Sequence, residues 1–126
     1  MEIEYAIHVV RALHQAGVGL LAGSDAFKPN VVPGFSLLTE ISYLVKAGLT
    51  PYEATKAATS DPARFLNLEG EFGAVKVGLR ADLLLLNSNP LEDVRNLAKR
   101  SGVMLRGQWF PEKVLQDNLR KYGESH

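Results

Sequence analysis

Apolar positions near the start of the chain recur at three- and four-residue steps. Ile3, Ala6, Ile7, Val10 and Leu13 form this stripe, while Glu4, His8, Arg11 and Gln15 fall outside it, which predicts an amphipathic helix over residues 2–16. Gly17 is the expected stop, since glycine enters the left-handed region without a steric penalty. Val18-Gly19-Leu20-Leu21-Ala22 is apolar without alternation, the pattern of a strand covered on both faces in a parallel sheet. Ser24, Asp25 and Ala26 then fall at the strand's carboxyl end, ahead of a loop bearing Pro29, Asn30, Pro33 and Gly34. Leu38, Ile41, Leu44 and Val45 predict a second helix over 36–47, closed by Gly48.

Thr50-Pro51-Tyr52-Glu53 reads as a helix start. Thr50 can cap, Pro51 has its φ preset for the first helical position, and Glu53 can reach back to the cap's amide. Ala54, Ala57 and Ala58 give this helix a small-residue face suited to close packing, and Asp61-Pro62 repeats the cap-then-proline signal for a short helix through Phe65 and Leu66. From Gly70 onward, glycines 70, 73 and 78 punctuate a short expected strand over 74–77, and Asp82 precedes the tetraleucine Leu83–Leu86, expected as a second buried strand. A short helix is expected near 94–98. Residues 103–106 and 108–110 flank Gly107 as a tight hairpin, and Pro111 opens a last amphipathic helix with Val114, Leu115 and Leu119. The pattern therefore divides the chain near residue 69: helix, strand and helices in 1–69, small strands and a terminal helix in 70–126.

The 126 residues suffice for one domain with a real core, of which roughly two-thirds of the unfolded surface would be buried. A 46% hydrophobic and 22% charged composition is that of a globular chain, and Lys+Arg and Asp+Glu both number 14. That balance offers no electrostatic reason for a nucleic-acid or anionic-membrane partner. The absence of cysteine removes disulfides, thiolate metal sites and Cys nucleophiles. Glu2 and Glu4 stand where a signal peptide needs positive charge, and no apolar run approaches the roughly 20 residues of a membrane span. The expectation is a cytoplasmic protein without membrane attachment.

Asp25 is the leading candidate for chemistry. Reactive groups of parallel α/β folds gather at the carboxyl ends of strands, and a carboxylate there can bind a metal or relay a proton. The competing reading is that Ser24 or Asp25 bonds its own loop backbone, as these residues do in turns. His8 and His14 are six apart on one helix and point to different faces, so they cannot chelate together, and His126 is terminal. Gly73 and Gly78 have P-loop spacing, but Leu79 and Arg80 replace the required Lys and Ser/Thr. Gly23-Ser24 lacks the second glycine of a nucleophile elbow, with Ala26 in its place. Glu40 and Glu53, imaginable as an acid/base pair, are read as helix-start or solvated-face residues, and Trp109 and Phe110 as hairpin core.

Several of these segments, in order, resemble the C-terminal portion of the amidohydrolase superfamily, in its imidazolonepropionase-like and prolidase-like branch. They are Gly17-Val18 through Gly23-Ser24-Asp25-Ala26, Val32-Pro33-Gly34-Phe35, Leu44 through Pro51, Glu53-Ala54, Ala57-Ala58-Thr59, Gly73 with Val77 through Leu83, Pro90 through Asp93, and Val103 through Gly107. The resemblance implies an α/β fold: the part of a metal-dependent hydrolase (β/α)8 barrel around strand eight and its flanking helices, with part of a small composite β domain. It implies one or two divalent metals, usually zinc, in the complete enzyme, bound by histidines on several strands, a carboxylated lysine or glutamate, and an aspartate on strand eight. Among these, the aspartate alone maps here, onto Asp25, as both metal ligand and catalytic acid/base.

The substrate implied for the complete enzyme is a small molecule with an amide-type C–N bond, cyclic or linear, cleaved by a metal-activated water. A typical barrel needs about 250 residues, so this chain is expected to lack activity alone and to bind no metal by itself. Its unpaired strand edges predict a homo-oligomer or domain-swapped dimer. A catalytically inactive self-associating fragment and a metal-free α/β binding module are the competing readings.

Overall fold

The computed structural model describes residues 2–25, 31–32 and 34–123. Its elements are α1 (Glu2–Gln15), α2 (Ser36–Ala47), α3 (Pro51–Ala57), α4 (Ser60–Phe65), β1 (Leu83–Leu86), a 3-10 turn (Val94–Ala98), β2 (Arg100–Leu105), β3 (Gln108–Pro111) and α5 (Glu112–Gly123). The fold is mixed α/β, with helices preceding a small antiparallel sheet of order β1-β2-β3.

The helix boundaries follow from local chemistry. Gly17 and Gly48 take positive φ of 76° and 116° just past α1 and α2. The Gly48 amide reaches back to the Leu44 and Val45 carbonyls, satisfying groups that a helix end otherwise leaves open. At α3 the capping box is complete: the Glu53 amide donates to Thr50 Oγ1 at 3.2 Å and the Thr50 amide donates to Glu53 Oε2 at 2.8 Å. Asp61, expected as a cap, instead lies in the first turn of α4, where its carboxylate accepts from Arg64 Nη1 at 3.1 Å and faces Lys56 Nζ at 3.5 Å.

Ile41 and Leu44 of α2, Leu49, Ala54 and Ala57 of α3, and Val94 and Leu97 of the 3-10 turn form the buried cluster. Leu86 of β1 and Leu20 and Ala22 of the extended segment pack at its margin. Arg11 ties α1 to the far end of α2, its Nε and Nη2 donating to the Ala47 and Lys46 carbonyls at 3.1 and 2.9 Å.

Three strand expectations require correction. Residues 18–22 run without helix or ladder and pair with no strand among the described residues; a ladder needs a neighbour, and the segment is tied instead by the Val18 amide to the Leu13 carbonyl at 3.0 Å and the Ala22 amide to the Ala57 carbonyl at 2.8 Å. Residues 74–77 form no strand either. They lie between Gly73 and Gly78, both at positive φ, with Val75 and Val77 88% and 100% exposed. The tetraleucine is a strand but not a buried one: the adjacent Leu84 and Leu85, which point to opposite faces, are 44% and 55% exposed, so neither face of β1 is fully covered.

The hairpin forms as expected. Arg106 and Gly107 both adopt positive φ, 49° and 82°, the pair of left-handed residues that a two-residue turn of matching twist requires. Asp82, just ahead of β1, holds this turn: its Oδ1 accepts from the Arg106 amide at 2.8 Å, while the Gly107 amide donates to the Ala81 carbonyl at 3.0 Å. At Gly102 a Cβ would stand 2.5 Å from Trp109 Cζ2 and 2.6 Å from the Phe110 carbonyl, so the indole of Trp109 takes the space of the missing side chain.

Candidate functional site

The Val18–Ser24 segment leads directly to Asp25. Leu20 and Ala22 pack at the margin of the buried cluster, and the Ala22 amide bonds the Ala57 carbonyl at the end of α3. Ser24 is half-buried and Asp25 exposed. Asp25 has φ of 46°, the left-handed region that Asp tolerates better than most side chains because it bonds local backbone. This left-handed residue closes the described part of the segment. Ala26 through Asn30 and Pro33, which complete this loop, lie outside the described residues. Beyond it, the Val32 amide donates to Ser36 Oγ at 2.8 Å and the Ser36 amide to the Val32 carbonyl at 3.0 Å, which seats the loop's end on α2.

No three His, Asp or Glu side chains come together among the described residues. His8 is exposed, and His14 Nε2 stands 4.0 Å from Glu53 Oε2. His126 lies outside the described residues. His14, Glu53, Lys56 and Asp61 line a shallow cleft of about 190 Å³ beside Val18 and Leu20. This cleft sits at the amino end of the extended segment, the opposite end from Asp25. Its groups serve helix ends: Glu53 caps α3, which holds its carboxyl below the ordinary range, first through the Thr50 amide and then through the Thr50 hydroxyl.

The sequence reading of Glu40 as a solvated-face residue needs correction. Glu40 is half-buried between α1 and α2, and burial pushes its carboxyl up. It therefore shares no site with Glu53, which lines a different cavity. The missed signal was the Ile3-Ala6-Ile7-Val10 stripe, whose facing surface includes position 40. Trp109 and Phe110 both lie in β3, but Trp109, expected as hairpin core, is 40% exposed.

Residues 4–110 match the amidohydrolase family. Imidazolonepropionase of Maricaulis maris is 36% identical over 104 residues, covering 79% of this chain and 26% of the relative. The crystal structure of an Xaa-Pro dipeptidase with bound methionine in the active site superposes with a TM-score of 0.74 at 28% identity, over 83% of this chain and 25% of that one. A bottromycin amidohydrolase superposes with a TM-score of 0.74 at 30% identity, over 93% and 26%. The chain spans about a quarter of the length of the relatives it matches. With the match running from the first turn of α1 to the end of the hairpin, the chain belongs to the amidohydrolase family.

Proposed function

We propose that this chain supplies the strand-eight end of a metal-dependent amidohydrolase barrel (residues 1–69) and part of its small composite β domain (residues 70–126). In this reading the complete enzyme hydrolyses an amide-type C–N bond of a small molecule. The observation that carries it is the position of Asp25: an exposed carboxylate on a left-handed residue at the carboxyl end of the segment, inside the stretch that matches the family.

The family is generally metal-dependent. Zinc takes three or four protein ligands, and no cluster of three occurs among the described residues. The described residues do not by themselves fit a metal shell, and zinc or another divalent ion would need further donors. What Asp25 contributes of its own is a proton relay. Its carboxylate takes a proton from the water that attacks the substrate carbonyl, and returns it to the nitrogen as the C–N bond breaks.

The test is a graft in which residues 4–110 replace the equivalent part of the Maricaulis maris imidazolonepropionase. We expect the graft to hold metal and turn over the host's substrate, and Asp25→Asn to lower kcat by about 100-fold or more, the range for a lost acid/base group. Turnover insensitive to Asp25→Asn in a folded graft removes Asp25 from the chemistry. A complementary measurement is zinc, manganese and iron per chain on the ungrafted protein. No stoichiometric metal is expected there; near-stoichiometric metal that disappears in Asp25→Ala would mean that copies of this chain assemble a site between them.

A further inference from the structure

Between α1 and α2 runs a groove of about 330 Å³ lined by Ile3, Ala6, Ile7, Val10, Tyr43 and Leu44, with Glu40 as its one charged group. The walls come from the helical stripe of α1 and from the facing turns of α2, so the groove is a direct product of the packing of two elements. No hydrogen bond or ion pair to Glu40 occurs among the described residues, although it is half-buried. A carboxylate in such surroundings loses water on one side and gains no partner, an arrangement that proteins generally relieve by pairing the charge.

No cation of the described residues lines the groove. Arg11 is committed to the carbonyls at the end of α2. Lys46 stands 5.0 Å from the centre of the Tyr43 ring and lines the neighbouring cavity with Thr39 and Ser42. The remaining charges in the first turn of α1, Glu2 and Glu4, are also acidic.

We infer that this groove is a binding site for an apolar primary ammonium: an alkyl or aryl chain on the Ile3-Ala6-Ile7-Val10 and Leu44 walls, with its –NH3+ on the Glu40 carboxylate. Charge complementarity selects this occupant. A neutral apolar molecule would bury the carboxylate further without a partner, and an anion would be repelled. The volume lies at the lower end of small-molecule pockets, enough for a short chain or a single ring. The site lies outside the Asp25 region, and the inference stands or falls independently of the hydrolase reading.

The test is a 1H–15N NMR titration of the whole chain with hexylammonium chloride, with 1-hexanol as the uncharged counterpart. The expected result is saturable shifts at Ile7, Val10, Glu40 and Leu44 with the ammonium, binding weaker for the alcohol, and a loss of roughly tenfold or more in ammonium affinity for Glu40→Gln, the scale of a charge-assisted hydrogen bond. Ala6→Leu, which fills the groove and keeps the carboxylate, is expected to abolish the shifts and covers the case in which Glu40→Gln fails to fold. Equal affinity for the two probes, unchanged affinity in a folded Glu40→Gln, or no shifts at these residues overturns the inference. Shifts at the same residues that depend on protein concentration without any probe overturn it in favour of a second copy of the chain.

Discussion

Glu53, Asp82 and Asp93 are carboxylates held below their ordinary values, and for Glu53 and Asp93 the cause is bonds to near neighbours in the sequence. Glu53 sits below its ordinary value of 4.5, first because the Thr50 amide donates to it and then because the Thr50 hydroxyl does. Asp93 is lowered from 3.8 to about 2, first by the Arg95 guanidinium and then by the Arg95 amide. A carboxyl depressed in the folded state stabilises that state above its unfolded value, and the contribution is lost as pH falls through the folded value. For Asp93 this window runs from 3.8 down to about 2. Urea unfolding of Asp93→Asn across that window should therefore vary less with pH than the parent protein does, and an unchanged slope would count against the Asp93–Arg95 contact. Thr50→Ala removes the side-chain acceptor at the start of α3 and should cost about 1 kcal/mol at neutral pH, read from the same unfolding curves. These contacts were legible in the sequence where they span three residues, as with Thr50 and Glu53. Arg11 was not, since its partners stand 35 and 36 positions away and its polar placement on α1 suggested only solvent. For Asp25 the sequence indicated the segment's end, but its left-handed backbone appeared only in the structure.

At the level of elements, helices were more legible than strands, for one physical reason. A helix satisfies its own amides within four residues, so caps, stripes and glycine stops specify it locally, and α2 runs from Ser36 to Ala47 as its pattern predicts. A strand exists only with a partner. The apolar run 18–22 and the residues 74–77 carry strand-like composition without a neighbour to bond, and both remain irregular. The β2–β3 hairpin formed because its turn residues sit next to each other in sequence and Asp82 holds the turn from outside. Gly102 is the point where this hairpin is least tolerant. Alanine there would press on the Trp109 ring and on the Phe110 carbonyl, and the backbone oxygen cannot rotate away. Gly102→Ala should lower stability by about 1–3 kcal/mol, the range for overpacking, with faster amide exchange confined at first to β2 and β3. A neutral effect on unfolding would mean that the indole moves aside at little cost. The same logic makes Gly73 sensitive: its φ of 97° and the 2.7 Å approach of an added Cβ to Ala63 both oppose substitution, whereas Gly107 meets only the conformational penalty.

The molecule as a whole has a small core for its length, and its surface reflects this. Every described residue of α1 keeps some exposure, and the fully buried apolar residues come from α2 through α4, Leu49 and the 3-10 turn. Two features then combine. Val18 through Leu21 leave strand-like backbone without a ladder, and β1 forms the outer edge of the sheet with Leu84 and Leu85 exposed. Extended apolar backbone with open amides and carbonyls templates pairing with another chain, and no proline or lysine blunts either stretch. We therefore expect the isolated chain to self-associate through these edges, and sedimentation velocity over a concentration series should show species heavier than one chain at micromolar levels. Leu85→Lys places a charge on the β1 edge without touching the core cluster, and should move the distribution toward the monomer while leaving the helical circular dichroism intact. A monodisperse monomer across the series would show that the side chains around these edges cover them well enough without a partner. Association unaffected by Leu85→Lys would shift the contact to the 18–21 segment, where Leu21→Lys is the corresponding substitution. Covering these edges is also what the rest of a barrel would do, so the grafted chain, unlike the isolated one, should gain no order of assembly beyond that of its host.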